Sequence, residues 1–193
     1  IVTDFYERTH KPKMLVGVKD GDAWAEDIRV SPEGSAFTLF MRGCAPVQVE
    51  TRLLGEHNIR NILLCCATAK YLGLTPQQIA RGISQLQPVE HRLQLIKTPG
   101  GVTIIDDAFN TNPRGCRAAL HVLRDFPGRR VIVTPGMVEM GEEEARFNFD
   151  FGKEMASCVD LAILVGRRHS EPIKQGLLEA GLDEGLLFMT EKL

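Results

Sequence analysis

Short apolar runs separated by turn residues characterise the first quarter of the chain. Val47-Gln48-Val49-Glu50-Thr51-Arg52 alternates apolar and polar residues, which is typical of a half-buried strand. Ser31-Pro32-Glu33-Gly34 places proline and glycine where a turn favours them. We therefore predict a β-rich region of hairpins or a meander, with further apolar runs at residues 14–18, 25–30 and 36–41.

The spacing of apolar residues changes after Gly55. Between residues 57 and 72 they recur at helical spacing, which predicts a helix that ends at Gly73. Thr75 followed by Pro76 predicts the start of a second helix, with threonine as N-cap and proline at the first helical position.

A regular alternation of strand and helix patterns follows the proline-containing stretch 87–90. Strands are predicted at 93–97, 102–106, 130–134, 161–165 and 186–189, and helices at 113–126, 142–158 and 171–180. Strands that alternate with helices of this length imply a parallel α/β sheet. We therefore predict two domains, residues 1–88 and residues 89–193, of which the second is α/β.

Composition and charge place the chain among ordinary globular proteins. Its 193 residues are 44% hydrophobic and 25% charged, and 23 basic residues stand against 25 acidic ones, which gives a net charge of −2. This balance carries no electrostatic signature of nucleic acid or of an anionic membrane, and no apolar run is long enough to span a bilayer. No nucleic-acid or membrane partner is therefore expected.

The five cysteines indicate a reducing compartment. Their number is odd, no pair has the CxxC spacing, and Cys65 and Cys66 are adjacent. This usage is typical of cytosolic thiols that act as small apolar residues, and it favours neither a zinc site nor a redox site.

The first candidate site is Gly55-Glu56-His57-Asn58-Ile59-Arg60-Asn61, at the start of the first predicted helix. Asn58 and Asn61 lie one turn apart, so their carboxamides can offer donors and acceptors to a planar heterocycle such as adenine. The alternative is structural: His57 and Asn58 cap the helix while Asn61 faces solvent. Spacing alone favours this structural alternative.

The second candidate is Arg92, within Glu90-His91-Arg92 at the predicted boundary. An arginine there can make a charge-assisted contact to a phosphate or a ribose. An interdomain salt bridge or a solvated side chain explains the same residue equally well.

The third candidate lies at the carboxyl end of the predicted strand 102–106, where open α/β sheets bind ligands. In Asp106-Asp107-Ala108-Phe109-Asn110-Thr111-Asn112-Pro113, Asp107 can accept hydrogen bonds from ribose hydroxyls. Asn112 and Pro113 also fit the N-cap and first position of the next helix. This structural role is compatible with a binding role for Asp107.

The fourth candidate is the loop Pro135-Gly136-Met137-Val138-Glu139-Met140-Gly141-Glu142, which follows the next predicted strand. Its two glycines indicate close backbone approach or positive φ. An ordinary strand-to-helix connection, with acidic residues favouring the helix N-terminus, is the alternative and is favoured.

Several motifs of catalysis and phosphate binding are absent from the sequence. It contains no GxxxxGK[ST], no GxGxxG after a strand, no HExxH and no GxSxG. We therefore predict no catalytic residue and no metal ligand within this chain. If the protein handles a nucleotide phosphate, the phosphate-binding loop is not in these residues.

The four clusters, taken in order, resemble those of the Mur ligase family, the ATP-dependent amide-bond ligases of peptidoglycan assembly. They read G-x-H-N-x-x-N, E-H-R-L, D-D-x-F-N-x-N-P and G-M-x-E-x-G, and the resemblance extends from about residue 24 to the end of the chain. The third and fourth motifs are most similar to those of the family members that join D-Ala-D-Ala to UDP-MurNAc-tripeptide.

The resemblance implies nucleotide-binding roles for four residues. Asn58 and Asn61 are similar to the asparagines that contact adenine. Arg92 is similar to the junction arginine that meets the nucleotide, and Asp107 to the acidic residue on its ribose.

Other matching positions have less defined roles. His57, Asn110 and Asn112 would line the nucleotide or substrate cleft. Phe109 stands where the family usually has tyrosine, so it keeps the ring and loses the hydroxyl. A hydrogen bond made by that phenol has no counterpart in this chain.

The resemblance also implies an architecture. Residues 1–88 would be the β-rich and helical C-terminal part of a central ATP-binding domain, and residues 89–193 a Rossmann-like ligase domain truncated at its end. The partners would be the missing N-terminal and central segments and the small molecules UDP-MurNAc-tripeptide and D-Ala-D-Ala. ATP and Mg²⁺ would be bound mostly outside this chain, in a cytoplasmic enzyme of cell-wall synthesis that supports cell shape and division. The isolated chain would lack ligase activity and bind ATP in the millimolar range, about −4 kcal/mol.

Two other functions remain open. A non-catalytic module that binds a nucleotide or a peptide would explain the absence of a phosphate-binding loop. A ligase of the same family that uses a different amino acid would explain the motifs equally well.

Overall fold

The computed structural model describes residues 6–191, which form two compact units, one within residues 1–87 and the other within residues 88–193. The division falls in the proline-containing stretch 87–90, and each unit has its own hydrophobic core. None of the helices in residues 6–191 has the length and apolar composition needed to cross a membrane.

The first unit contains a three-stranded antiparallel sheet in the order β1-β2-β3. Its strands are β1 (Ala23–Ser31), β2 (Gly34–Met41) and β3 (Val47–Thr51). Ser31 pairs with Gly34, so Pro32 and Glu33 form the connecting turn. The predicted hairpin and the predicted third strand are confirmed.

The short apolar run at residues 14–18 does not form a strand. Val16 makes a single bridge to Ala23, and the chain turns back at once. The Asp22 N–H donates to the Leu15 carbonyl, and the Asp22 carboxylate accepts from the Leu15 N–H at 2.7 Å. These local bonds satisfy Leu15 without a partner strand, so the turn signal prevails over the apolar run.

Two helices complete the first unit: α1 (Glu56–Tyr71) and α2 (Pro76–Ser84). α2 begins in a capping box, in which the Thr75 hydroxyl accepts from the Gln78 backbone N–H and the Gln78 side chain accepts from the Thr75 backbone N–H. Gly73, at φ 91°, follows the end of α1. Both predicted helices and the predicted cap are confirmed.

The core of the first unit lies between the sheet and the apolar faces of the two helices. Its buried residues are Ala23, Phe37, Leu39, Met41, Val49, Ile59, Ile62, Leu63, Cys66, Ala67, Ile79 and Ile83. Alternate residues of β2 point into this core, as the period of two of a strand requires.

The second unit begins with an antiparallel hairpin and continues as a parallel sheet in the order β6-β7-β8. The strands are β4 (Gln94–Lys97), β5 (Thr103–Asp106), β6 (Val131–Thr134), β7 (Leu161–Val165) and β8 (Leu187–Thr190). The predicted α/β class is confirmed. The first two predicted strands pair with each other as β4 and β5, so the parallel sheet of the described residues has three strands.

The helices of the second unit are α3 (Pro113–Arg124), α4 (Glu144–Met155) and α5 (Ser170–Glu179). A 3-10 turn at Gly141–Glu143 precedes α4, which therefore starts later than its acidic residues suggest. All three helices contribute to one core with Ala162 and Leu164 of β7. Val131 and Val133 of β6 and Phe188 of β8 are exposed, so the described helices cover one face of the sheet.

Three of the five cysteines behave as small apolar residues, as predicted. Cys66, Cys116 and Cys158 are buried. Burial raises the pKa of the Cys66 thiol to about 12 and that of the Cys116 thiol to about 11, which keeps both neutral. Cys65 is exposed, and none of the five forms a disulfide.

Candidate functional site

The first two turns of α1 carry two of the candidate residues, Asn58 and Asn61. Gly55 precedes the helix at φ 86° and ψ 150°, a conformation open essentially to glycine alone. Asn58 is half-buried, and its Nδ2 donates to the Leu54 carbonyl at 2.8 Å. Asn61 lies one turn further along and is exposed.

The structural alternative for this cluster is partly wrong. The Asn58 amide donates to a carbonyl that precedes α1, and the residue at the N-cap position is Gly55, which has no side chain to cap the helix. Asn61 is exposed, as that alternative expects, and His57 is half-buried. A binding role for the two asparagines stays a prediction.

In the second unit, the segment that carries Arg92 is bound to the loop after β5. The Leu93 N–H donates to Oδ1 of Asp107 at 3.1 Å, and the Phe109 N–H donates to the His91 carbonyl at 3.2 Å. The fold therefore brings together Arg92 and Asp107, two candidate residues that are far apart in the sequence.

A third contact between the same segments joins His91 and Asp106. Nδ1 of His91 lies 2.8 Å from Oδ2 of Asp106, and the Ala108 N–H donates to the other carboxylate oxygen at 3.1 Å. The hydrogen bond with His91 is the main cause that lowers the pKa of Asp106 below its ordinary value. Asp106 is therefore ionised at neutral pH and anchors the His91 ring.

The backbone around Arg92 is strained. His91 has φ 59° and Leu93 has φ 46°, in the left-handed region that costs a residue with a side chain about 1–3 kcal/mol. Leu93 is buried, and its N–H is held by Asp107. The contacts with the β5 loop offset this cost, and they hold the exposed Arg92 between two anchored neighbours.

The Arg92 guanidinium lies over the ring of Phe109, with its central carbon 4.1 Å from the ring centroid. Within residues 6–191 no carboxylate forms an ion pair with Arg92. The sequence left two structural alternatives for Arg92, a salt bridge and a solvated side chain. In the described part of the chain, the side chain is exposed and forms no salt bridge. The positive charge of Arg92 is available to an anionic ligand.

Asn112 has the structural role that its sequence context predicts. It is the N-cap of α3, its Oδ1 accepts from the Gly115 N–H at 2.9 Å, and Pro113 takes the first helical position. Asn110 is exposed in the same loop. That both asparagines line a ligand cleft stays a prediction.

The loop after β6 depends on Asn148, a residue that motif analysis missed. Asn148 is completely buried on α4, and its Oδ1 accepts from the Met137 N–H at 2.8 Å. Its Nδ2 donates to the carbonyls of Met137 and Glu144 at 2.9 and 3.0 Å. A Cβ on Gly136, at φ 85°, would lie 2.8 Å from Oδ1 of Asn148, so the predicted need for glycine is confirmed there.

A sequence signal for Asn148 existed. It lies at helical spacing with Phe151 and Met155, on the buried face of α4. A polar side chain on such a face must find hydrogen-bond partners. The Thr111 hydroxyl also contacts the Gly136 carbonyl, at 3.5 Å, so the loops after β5 and β6 touch at the carboxyl edge of their strands.

The candidate side chains of the second unit include both a hydrogen-bond donor and an acceptor. The Arg92 guanidinium is a hydrogen-bond donor, the Asp107 carboxylate is an acceptor, and the carboxamides of Asn110 and Asn112 can be both. In the part of the chain that the structure describes, His, Cys, Asp and Glu residues nowhere gather in groups of three or more that could hold a metal ion.

Two family profiles match the chain. Residues 91–190 match the profile of the Mur ligase, glutamate ligase domain, and residues 2–69 match the Mur ligase middle domain. The chain belongs to the Mur ligase family. The resemblance inferred from the four motifs is confirmed.

Named relatives of this Mur ligase chain include two ligases of one kind. The UDP-N-acetylmuramoyl-tripeptide–D-alanyl-D-alanine ligase of Bacillus subtilis is 31% identical over 173 residues, which cover 89% of this chain and 35% of the relative. The ligase of the same name from Escherichia coli is 32% identical over 176 residues, which cover 90% of this chain and 39% of the relative.

Solved structures show the same relationship. A crystal structure of MurF from Acinetobacter baumannii superposes with a TM-score of 0.78 at 28% identity, and the match covers 89% of this chain and 36% of that one. The chain therefore spans little more than a third of the length of the Mur ligases that it resembles.

Proposed function

We propose that the full-length protein is an ATP-dependent ligase that joins D-Ala-D-Ala to UDP-MurNAc-tripeptide in peptidoglycan precursor synthesis. The names of two relatives and the two family profiles support this reaction. The observation that carries it is the juxtaposition of Arg92 and Asp107, held by the Leu93–Asp107 hydrogen bond. A cation and a carboxylate on two segments joined in this way match the phosphate and the ribose of a nucleotide.

In this proposal, four residues contact the nucleotide. The carboxamides of Asn58 and Asn61 present donors and acceptors to the adenine edge. The Asp107 carboxylate accepts from the ribose hydroxyls, and the Arg92 guanidinium donates to phosphate or ribose oxygens.

His57, which precedes Asn58, and Asn110 and Asn112, which follow Asp107, would contact the nucleotide or the substrate. Oδ1 of Asn112 is committed to the cap of α3, so its Nδ2 is the group that can reach a ligand. Asn110 is exposed and can serve as donor and acceptor.

ATP would activate the carboxylate of the tripeptide as an acyl phosphate, and the amine of D-Ala-D-Ala would displace phosphate to leave an amide, ADP and phosphate. We place the groups that hold the triphosphate and Mg²⁺ in the two thirds of the relatives that this chain does not span. A cytoplasmic location accords with five cysteines that remain free thiols.

The test is a ligation assay with the full-length gene product. We expect product and phosphate release with UDP-MurNAc-tripeptide, D-Ala-D-Ala and MgATP, and none when D-Glu or a diamino acid replaces the dipeptide. Asp107→Asn keeps the bond from the Leu93 N–H and removes the charge, so we expect the KM for ATP to rise about tenfold or more. Mass spectrometry identifies the ligation product, and a phosphate-release assay measures the KM for ATP.

A matched control is Asp125→Asn, which removes one carboxylate at the exposed C-terminus of α3 and should leave the KM for ATP unchanged. Turnover with a single amino acid in place of the dipeptide would assign another member of the family. ATP binding without any amide product would support a binding module instead.

A further inference from the structure

The ring of Phe109 is exposed and packs against the guanidinium of Arg92. It is 65% exposed, so the hydrophobic effect gives it little reason to adopt one position. Its centroid nevertheless lies 4.1 Å from the central carbon of the Arg92 guanidinium. A guanidinium that faces an aromatic ring at this distance is attracted by the ring quadrupole.

The backbone brings the two side chains together before any ligand is present. Phe109 donates its N–H to His91, the neighbour of Arg92 on one side. Leu93, the neighbour on the other side, donates its N–H to Asp107. These two bonds join the segments on both sides of Arg92, so the stacked pair follows from the course of the chain.

An arginine without such a support would retain many rotamers. Arg92 is exposed, and the Phe109 ring against its guanidinium restricts the rotamers that it can adopt. Ordering a long side chain opposes binding, and restricting it in advance reduces that opposition.

We propose that Phe109 is a positioning residue that orients Arg92 toward the nucleotide through the face of its ring. The inference rests on the proposed nucleotide site. It also explains why phenylalanine serves where the family usually has tyrosine: stacking uses the ring, which both residues share, and the hydroxyl at the ring edge takes no part.

The test measures ADP affinity by calorimetry on the full-length gene product. Phe109→Leu keeps an apolar side chain and removes the ring, so we expect about two- to fivefold weaker binding. Phe109→Tyr keeps the ring and does not share this loss. Arg92→Ala should weaken binding about tenfold or more, and Phe109→Leu should cause no further loss in the Arg92→Ala background.

Phe188→Leu is the matched control, because Phe188 is an exposed phenylalanine of the same unit, 53% exposed on β8. It should bind ADP as the wild type does. Full affinity in Phe109→Leu overturns the proposal, as does an equal loss in the presence and absence of Arg92, which would mean that the ring touches the nucleotide directly. An equal loss in Phe109→Tyr also overturns it.

The same measurements separate this inference from the proposed function. If Arg92→Ala binds ADP as tightly as the wild type, the nucleotide site itself is wrong, and the role of Phe109 falls with it. If Arg92→Ala loses affinity while Phe109→Leu does not, the nucleotide site stands and only the positioning role is wrong.

Discussion

The two groups of proposed nucleotide contacts are held in different ways. In the first unit, Asn58 and Asn61 owe their positions to the start of α1 at Gly55, with one side-chain bond from Asn58 to the preceding chain. In the second unit, Arg92 and Asp107 owe theirs to bonds between two segments that are distant in sequence. The first arrangement is local and the second is tertiary.

This difference determines where each arrangement is vulnerable. A local arrangement depends on a single backbone position, since the helix start at Gly55 sets where the first helical residues lie. A tertiary arrangement is distributed over several side-chain-to-backbone bonds. The loop after β6 is also held by side-chain-to-backbone bonds, because the Asn148 side chain bonds to both the N–H and the carbonyl of Met137.

Asn148→Leu should produce the largest effect, because it breaks the most buried of these tertiary bonds. Leucine has a similar size, but it leaves the N–H and the carbonyl of Met137 without their partner. Each unpaired buried group costs about 1–3 kcal/mol, so we expect the free energy of unfolding to fall by about 3 kcal/mol or more. Urea denaturation followed by circular dichroism measures the change.

The control for this prediction is Asn61→Leu, an exposed asparagine on a helix of the first unit. It should change the free energy of unfolding by no more than about 0.5 kcal/mol. Equal stability of both variants would mean that the loop after β6 holds its shape without Asn148.

Gly55→Ala should have the next largest effect, and it probes the local arrangement. Alanine at φ 86° and ψ 150° is strained by about 1–3 kcal/mol, so the protein should lose that much stability or shift the start of α1. Trp24 is the single tryptophan and lies in the first unit, so its fluorescence reports this transition. A shifted helix start would also weaken ADP binding through Asn58 and Asn61.

Gly82→Ala provides a control of opposite sign. Gly82 lies within α2, and a Cβ there would meet no atom within 4 Å. Alanine in a helix is favoured over glycine by about 0.5–1 kcal/mol, so this variant should gain stability. If both glycine variants changed stability in the same direction, the special backbone of Gly55 would not be the reason.

The sequence predicted what depends on neighbouring residues. The predicted caps at Thr75 and Asn112 use partners three residues away, and both are present. The apolar run at residues 14–18 did not form a strand, because local bonds to Asp22 already pair the backbone N–H and carbonyl of Leu15.

The platform around Arg92 could not be predicted in this way. It requires left-handed backbone at His91 and Leu93; histidine adopts that conformation more often than most residues, but leucine rarely does. The stacking on Phe109 then follows from long-range hydrogen bonds that become visible only in the fold. The role of Asn148 is partly predictable from sequence. A polar residue at an apolar helical position indicates a buried side chain that needs hydrogen-bond partners, but it does not show which partners these are.

Acidification should have the smallest effect, acting on the contact between His91 and Asp106. The hydrogen bond with His91 lowers the pKa of Asp106 in the folded protein below the unfolded value of about 3.9. Such a carboxylate contributes stability that is fully present above the unfolded pKa and is lost as pH falls through the folded pKa. His91 is well exposed, so water screens the contact and its contribution stays below about 1 kcal/mol.

Asp106→Asn should therefore be less stable than the wild type at pH 5 by less than about 1 kcal/mol, and this difference should disappear toward pH 2 as the wild-type carboxyl is protonated. Urea denaturation across that range measures the difference, with Asp125→Asn as the control for loss of one exposed carboxylate. A difference that persisted at pH 2 would show that the ring of His91 is held by shape and not by the charge of Asp106.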